Sequence, residues 1–380
     1  MRRVFVVMIL GLGLNACSIE WALNRVDYSS PYAIDPVLAQ KHNAMFVADL
    51  HADSLLWNRN LDERGSYGHV DIPRALEGGV DFQIFSTVSK TPWGLNMEAN
   101  DDTSDMLVAN SMIQGWPART WNSLLQRVLY QGEKLQRLQA RVGEQLRLVR
   151  YAEDLSTVGE AVDGFPIVGA ALATEGGHVL EGKLENVQVL FDAGFRSMGL
   201  VHFFDNELGG SAHGMRKGGL TRFGAHVVAE MERLGMIVDL AHASKPLIDD
   251  VVRVAKKPLL VSHTGVVGTC PGPRNLSDAQ LKAIAATDGL IGLAVFSPAI
   301  CERSYVEAAR TLKYTVDLIG VRHVALGTDH DGAVPVAYDV SGLPLLTGEL
   351  LKLGMSEADV AAVMGGNVRR FFAENLPHRR

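Results

Sequence analysis

The sequence predicts an α/β fold of the (β/α)8 TIM-barrel type, because short apolar runs alternate eight times with segments of helical periodicity. Such alternation is typical of parallel strands covered by helices, and eight strand–helix units close into a barrel. The chain of 380 residues, 47% of them hydrophobic, can build this core as one unit. The predicted strands span 44–51, 80–88, 166–174, 195–202, 236–242, 258–264, 290–296 and 323–329.

Helices are predicted between these strands from apolar spacing and from end signals, at 220–235, 276–289 and 356–375. The first ends in Gly235, which is typical of a helix C-cap. The second starts at Ser277, a suitable N-cap, and ends in Gly289. The third opens with Ser-Glu-Ala-Asp and is expected to pack outside the barrel as the last helix.

One span departs from the alternation. Residues 89–160 predict two helices without a strand, and we interpret them as a helical insertion after strand 2. A single barrel domain over 41–380 that contains this insertion fits the pattern better than two domains.

Charge and composition limit the class of protein. The formal net charge of −7 argues against nucleic acid as a partner, since binding to phosphates needs a clustered basic surface. The charged fraction of 21% is ordinary for a globular protein. An enzyme or a binding protein therefore remains.

The first residues, MRRVFVVMILGLGLNAC, predict export. Two arginines precede an apolar stretch, 4–14, that is too short to span a bilayer as a helix, so 1–17 is interpreted as a signal peptide. The sequence before Cys17 resembles a bacterial lipoprotein signal, in which this cysteine is lipidated. The alternative is an ordinary cleavable signal with an incidental cysteine.

A lipid on Cys17 would place the protein in the bacterial cell envelope. Ser18 after the cysteine suggests sorting to the outer membrane, facing the periplasm, and 18–40 is expected to be a tether and lead-in. Disulfides persist in that compartment, and Cys270 and Cys301 both follow predicted strands. A bridge would close a loop of about 31 residues and contribute on the order of 3–4 kcal/mol. The alternative is two unconnected buried thiols.

Polar residues stand where the predicted strands end, at the face where barrels of this type carry their reactive groups. They are His51 and Asp53 on strand 1, Glu175 on strand 3, His202 on strand 4, His242 on strand 5, His263 on strand 6 and Asp329 on strand 8. A single histidine at a strand end is more often structural than a ligand. The same position on several strands indicates a shared site.

Imidazoles and carboxylates together are the ligands that zinc and similar first-row ions prefer. Residues two apart on a strand point to the same side, so His51 and Asp53 can bind one ion. The whole set exceeds what one tetrahedral zinc needs. It suits two ions that share one carboxylate and activate water between them. By contrast, His178, His213 and His330 lack the strand-end position and are expected in surrounding loops.

Several motifs resemble the membrane (renal) dipeptidase family, which belongs to the metal-dependent amidohydrolase barrels. They are DLHAD (49–53), ATEGGH (173–178), LTRFGAHVVAEMERLGMIVDLAHAS (220–244), VSHTG (261–265), PRNLSD (273–278) and GTDHDG (327–332). The resemblance covers about 40–375, except for 89–160. The loop HFFDNELGGSAHG (202–214) lacks the cysteine of animal members and resembles the bacterial branch.

The resemblance implies two zinc ions per chain and a role for each strand-end residue. His51 and Asp53 would bind the first ion, Glu175 would bridge, and His242 with His263 would bind the second. Asp329 would take a proton from a metal-bridging hydroxide and pass it to the leaving amine.

Substrate contacts follow from the same resemblance. His202 would polarise the scissile carbonyl, and Arg274 would bind the C-terminal carboxylate through its guanidinium fork. Cys270 and Cys301 match a disulfide that is familiar in the family.

The expected function is therefore a zinc-dependent dipeptidase that acts on dipeptides, L-Xaa-D-Xaa included. The alternatives are a lactonase, deaminase or phosphoesterase with the same binuclear centre, or an anchored peptide-binding lipoprotein without activity. The sequence leaves open whether the barrel pairs into a homodimer.

Overall fold

The computed structural model describes residues 17–162 and 165–379. Residues 1–16 of the predicted signal peptide, 1–17, lie outside the described residues. No helix among those described is long and apolar enough to cross a membrane.

A barrel of parallel strands forms the core, as the sequence predicts. Neighbouring strands pair in chain order around the sheet. The barrel strands are β1 (Val47–Ala52), β2 (Val80–Phe85), β3 (Val168–Thr174), β4 (Phe195–Gly199), β5 (Ile237–Asp239), β6 (Leu260–Thr264), β7 (Leu290–Leu293) and β8 (Val324–Leu326). Their residues are almost wholly buried, as expected for strands covered on both faces.

The buried Asp49 carboxylate joins the first and last strands. It accepts hydrogen bonds from the Thr328 amide at 2.8 Å and from the Thr328 hydroxyl at 2.7 Å. Ala52, the last residue of β1, forms a parallel bridge with His330, which lies beyond the end of β8. The seam thus brings the ends of β1 and β8, and with them His51 and Asp329, into contact.

Helices surround the barrel. They are α1 (Cys17–Leu23), α2 (Pro36–Asn43), α3 (Ile72–Glu77), α4 (Met106–Ile113), α5 (Leu124–Val142), α6 (Asn186–Asp192), α7 (Arg222–Leu234), α8 (Lys245–Val254), α9 (Asp278–Ala285), α10 (Ser297–Ile300), α11 (Tyr305–Ile319), α12 (Leu343–Lys352), α13 (Glu357–Ala361) and α14 (Asn367–Asn375). Most begin at a side-chain cap. The Ser277 hydroxyl accepts from the Gln280 amide, which confirms that cap.

Two of the three predicted helices differ in the structure, one in its end and one because it is divided. Helix α7 ends at Gly235 in the left-handed conformation, as predicted, but α9 ends at Ala285, before Gly289. A Cβ at Gly289 would lie 2.7 Å from the Ile284 carbonyl oxygen, so glycine is needed there for close backbone approach. The last predicted helix divides into α13 and α14 around Gly365, whose backbone packs against the Phe46 carbonyl in β1's lead-in.

The span after β2 contains the two expected helices, α4 and α5. The expectation that it lacks a strand is wrong, since Leu146–Leu148 pairs in parallel with β3. Its apolar Leu146 is buried, but three residues are too short a run to stand out in the sequence. Two further short strands, Ala161–Val162 and Phe165–Pro166, pair with each other.

The N-terminal segment, expected to be a tether, packs onto the barrel in the structure. Glu20 and Asn24 of the first turns are buried, and Val26 bridges to Val336 in the loop after β8. Cys270 and Cys301 form a disulfide.

Candidate metal centre

The carboxyl ends of the strands bring the predicted residues into one buried cluster. His51 and His263 lie within β1 and β6, Asp53 and Glu175 directly follow β1 and β3, and His202, His242 and Asp329 lie three residues beyond β4, β5 and β8. Each side chain in this cluster belongs to a residue that is at most 8% exposed.

The Glu175 carboxylate lies at the centre. Its Oε1 atom is 3.2 Å from His51 Nε2, 3.3 Å from His263 Nε2 and 3.5 Å from His242 Nε2. Its Oε2 atom is 2.8 Å from His202 Nε2. One carboxylate therefore faces four imidazoles, three of them through Oε1 and His202 through Oε2.

The second part of the cluster lies around His51. Its Nε2 atom is 3.5 Å from Asp53 Oδ2 and 3.8 Å from Asp329 Oδ1. Among the described residues, three sets of ligand atoms each lie within 4.8 Å of one another, and His51 or Glu175 belongs to every set. The sets are His51, Glu175 and His263; Glu175, His202 and His242; and His51, Asp53 and Asp329.

These residues fit a metal ion. The His51 Nε2, Asp53 Oδ1 and Glu175 Oε1 atoms are buried without a hydrogen-bond partner, although burying such groups unpaired is costly. The His242 and His263 Nε2 atoms lie 3.1 Å apart. Nitrogen lone pairs that face each other and a carboxylate are expected where a cation binds between them.

A hydrogen bond on the side away from the cluster orients the ring of His263. Its Nδ1 atom lies 2.9 Å from the Ser262 hydroxyl, so that Nε2 points into the cluster. Support of this kind fixes the tautomer of a metal-binding histidine. The Ser262 amide in turn donates to the buried Asp239 carboxylate at 2.9 Å.

The electrostatics of the cluster favour positive charge. Burial lowers the pKa of His51, but Glu175 and Asp53 outweigh it and hold that pKa well above its ordinary value. Burial raises the pKa of Glu175, but His202 and His51 bring it well below its usual range. Burial, with help from the Asp53 charge, raises the pKa of Asp329 well above its usual range. The carboxylates thus compete for the available positive charge.

Two site residues have unusual backbone conformations. His242 and Asp329 both have a φ of 63°, in the left-handed region that side chains other than glycine rarely adopt. Such conformations cost about 1–3 kcal/mol each and persist where the surroundings enforce them. Here they turn the two side chains back toward the cluster just after β5 and β8.

Arg274 lies on the wall of the same cavity. It is 5% exposed, and its Nη2 atom donates to the His263 carbonyl at 3.1 Å. Its Nε and Nη1 atoms are buried without hydrogen-bond partners. A buried guanidinium with two free donors is suited to a carboxylate ligand.

The cavity has a volume of about 210 Å³, and part of its wall was missed by sequence reasoning. Leu95 and Met97, from the span after β2, line it together with Phe203 and Phe296. The Met97 carbonyl lies 2.8 Å from His213 Nδ1, which fixes this wall to the loop after β4. The only available signal was a few apolar residues in a polar stretch.

The histidines that lack the strand-end position lie around the cluster, as predicted. His178 Nε2 lies 2.8 Å from the Ser89 hydroxyl, and His330 Nε2 lies 3.1 Å from the Tyr338 carbonyl. The ring centroid of His213 is 5.3 Å from that of His242.

The fold and the cluster define a parallel α/β barrel with a candidate metal centre at the carboxyl ends of its strands. A family model described as membrane dipeptidase, peptidase family M19, matches residues 38–378. The chain therefore belongs to the membrane dipeptidase family, which confirms the resemblance of its motifs.

Individual relatives agree with this assignment. Dipeptidase aclJ of Aspergillus oryzae is 35% identical over 217 residues, which cover 54% of this chain and 51% of that protein. The match thus spans about half the length of this relative. Dipeptidase AC, a family M19 metallopeptidase of known structure, is 25% identical with a TM-score of 0.71, covering 87% of this chain and 98% of that one.

A metallopeptidase from Rhodobacter sphaeroides has the same fold. Its crystal structure contains a phosphinate mimic of the dipeptide L-Ala-D-Ala. It is 24% identical with a TM-score of 0.71, and the superposition covers 87% of this chain and 99% of that one.

Proposed function

We propose that the protein is a metal-dependent dipeptidase that hydrolyses the peptide bond of dipeptides with a free C-terminal carboxylate. The observation that carries this is the buried Arg274, whose two unpaired donors share a small cavity with the carboxylate–imidazole cluster. A substrate carboxylate on Arg274 would place the peptide carbonyl next to the cluster. A cavity of about 210 Å³ suits a small ligand better than a long peptide.

His51 and Asp53 would hold one zinc ion, His242 and His263 a second, and Glu175 both. Such ions, when bound, supply an acidified water nucleophile and a Lewis acid for the carbonyl oxygen. Two ions are supported by the central position of Glu175, whose Oε1 atom lies 3.2 Å from His51 Nε2 of the first proposed ligand set and 3.5 Å and 3.3 Å from His242 and His263 Nε2 of the second.

Asp329 would act as the proton carrier. In the reaction, the water oxygen bonds to the carbonyl carbon, the C–N bond breaks, and the water proton must reach the leaving amine. The Asp329 carboxylate lines the cavity, with Oδ1 3.8 Å from His51 Nε2, so it is placed to take the proton from the water and pass it to the leaving amine.

His202 would contact the carbonyl oxygen as charge develops on it. Its Nε2 atom lies 2.8 Å from Glu175 Oε2 at the cavity wall, beside the proposed metal ligands. A donor at that position stabilises the oxyanion and contributes to turnover more than to binding.

We extend the proposal to L-Xaa-D-Xaa dipeptides and to the cell envelope. The Rhodobacter metallopeptidase with this fold binds a mimic of L-Ala-D-Ala, which supports a D-residue on the C-terminal side. Lipidation at Cys17 would anchor the protein to the outer membrane, facing the periplasm, where wall-derived dipeptides occur. Acylation is tested by mass spectrometry of the purified full-length protein.

The proposal is tested by comparing two variants on two substrates, a dipeptide and a neutral lactone. Arg274→Ala should raise KM for the dipeptide strongly, since removing a charge-assisted contact costs about 1.5–3 kcal/mol, or roughly 10- to 150-fold. Asp329→Asn should lower kcat with bound metal retained. A metal-loaded wild type that cleaves lactones or phosphoesters but no dipeptide would refute the dipeptidase and favour another hydrolase of this fold.

A further inference from the structure

A second set of buried charges lies behind the candidate centre, outside the residues assigned to the reaction. Asp331 is completely buried, two residues after Asp329. Its carboxylate accepts from the Ser54 hydroxyl at 2.5 Å, from the His69 amide at 2.6 Å and from Arg59 Nη2 at 2.6 Å. Burial raises the pKa of Asp331, but Arg59 outweighs it and brings the pKa to about 2, so the group is ionised.

Asp331 connects the two corners that carry proposed site residues. Ser54, which it holds, follows Asp53 directly. The Asp53 amide also donates to the His330 carbonyl at 2.9 Å, so the two corners are joined through their backbones as well as through the Asp331 side chain. Because Asp329 and Asp331 both have left-handed backbones, with φ of 63° and 62°, their conformation depends on such outside contacts.

Arg59 extends this connection to the N-terminal helix. Its Nε atom donates to the Glu20 carboxylate of α1, while its Nη2 atom holds Asp331. The side chains of Glu20 and Arg59 are 2% and 4% exposed. A second contact joins the same segment to Asp331, since Asn24 Nδ2 donates to the Asp331 carbonyl at 3.4 Å.

A buried chain of charges is sensitive to the loss of one member. Removing one partner leaves the others buried without compensation, which is strongly destabilising. The Glu20 carboxylate has Arg59 as its partner, and burial raises its pKa to about 7 although Arg59 opposes the rise. The single side chain of Arg59 contacts both Glu20 and Asp331, because a guanidinium presents several donors in a fixed plane.

We infer that Glu20 and Arg59 are positioning residues, through which helix α1 holds the Asp329–Asp331 corner in register with Asp53. The inference rests on the proposed function, since it gives Asp329 a role in turnover. The inference also gives the segment directly after Cys17 a structural role. Because helix α1 supports the site, little free chain remains between Cys17 and the barrel.

The test uses the metal-loaded full chain at pH 8, with Glu20→Gln and Arg59→Lys as variants. Both keep the size or the charge of the side chain, but break the double contact of Arg59. We expect kcat for a dipeptide to fall about 10- to 100-fold, as for small misplacements of catalytic groups. KM should change less than twofold, because Arg274 lies on another loop, and bound metal should be unchanged.

Asp27→Asn is the matched control. Asp27 belongs to the same N-terminal segment and pairs with Arg303 at 2.9 Å, but it has no contact with Asp331 in the described structure. Its kcat should equal that of the wild type, even if its melting temperature falls.

Two readouts separate positioning from general stability. Hydrogen exchange at the Asp53 and His69 amides should accelerate in Glu20→Gln, and the distance from Asp329 Oδ1 to His51 Nε2 should differ between crystal structures of the metal-loaded variant and the metal-loaded wild type. A lower melting temperature with wild-type kcat and unchanged exchange would overturn the inference. If Asp329→Asn keeps full activity, the proposed function itself fails, whatever Glu20→Gln does.

Discussion

At the scale of single residues, histidines in this protein separate into two kinds by what surrounds them. Those at the strand ends face carboxylates, and a cation can occupy the space between them. Others, such as His69, are buried as neutral rings within the protein. The Asp331 amide donates to His69 Nδ1 at 2.8 Å, which requires that nitrogen to be unprotonated.

This environment predicts a pH-dependent stability. Burial, opposed by the Asp331 charge, lowers the pKa of His69 to about 3. The unfolded chain binds a proton at His69 below pH 6.5, but the folded chain does not until about pH 3. The contribution of His69 to the free energy of unfolding is therefore fully present above pH 6.5. It decreases toward pH 3, by about 1.4 kcal/mol per pH unit.

The measurement is the free energy of unfolding by urea at pH 7, 6, 5 and 4. His69→Asn keeps an acceptor for the Asp331 amide and should reduce the slope by one proton. His226→Asn, at an exposed position, serves as the control and should leave the slope unchanged. An unchanged slope in His69→Asn would show that His69 is protonated in the folded state.

At the scale of elements, the loop after β6 holds Arg274 between two fixed points. The disulfide joins Cys270 to Cys301 in the segment after β7, and the Asn275 amide group donates to the Cys270 carbonyl at 2.7 Å. Removing the bridge frees a loop of 31 residues in the unfolded chain. The double variant Cys270→Ser, Cys301→Ser should lose about 3–4 kcal/mol of stability.

Because Arg274 follows this bridge closely, the same variant should raise KM while kcat stays near the wild-type value. Steady-state kinetics well below the melting temperature measure both constants. Reducing agent should raise KM in the wild type and leave the KM of the double variant unchanged. If kcat falls instead, the bridge supports the metal cluster rather than the carboxylate site.

The strands and the cluster could be predicted from sequence because their signals are local. An apolar run marks each barrel strand, and the barrel's geometry brings His51, Glu175 and Asp329 together from distant positions. The wall around Met97 could not be predicted, since its position depends on the contact with His213, and nothing in either local sequence specifies it.

Glu20 was missed for a related reason. It lies in a seven-residue helix, and only its tertiary contact with Arg59 shows that it is buried. Gly289 illustrates the opposite error. A glycine suggested a helix end, but packing against Ile284 and Leu259 explains it better.

At the scale of the whole molecule, the barrel gathers groups from six strands, β1, β3–β6 and β8, into one cavity, and the span after β2 adds Leu95 and Met97 to its wall. The central claim is that this cavity binds metal and cleaves dipeptides through their free carboxylate. Both parts of the claim can be tested in one assay.

That assay measures hydrolysis of L-Ala-L-Ala, L-Ala-D-Ala and L-Ala-L-Ala amide by the protein from residue 18 onward, with zinc and after chelation. The account predicts cleavage of both free dipeptides, little cleavage of the amide, and loss of activity with chelator that returns with zinc. Equal cleavage of the amide, or full activity in the metal-free protein, would contradict it.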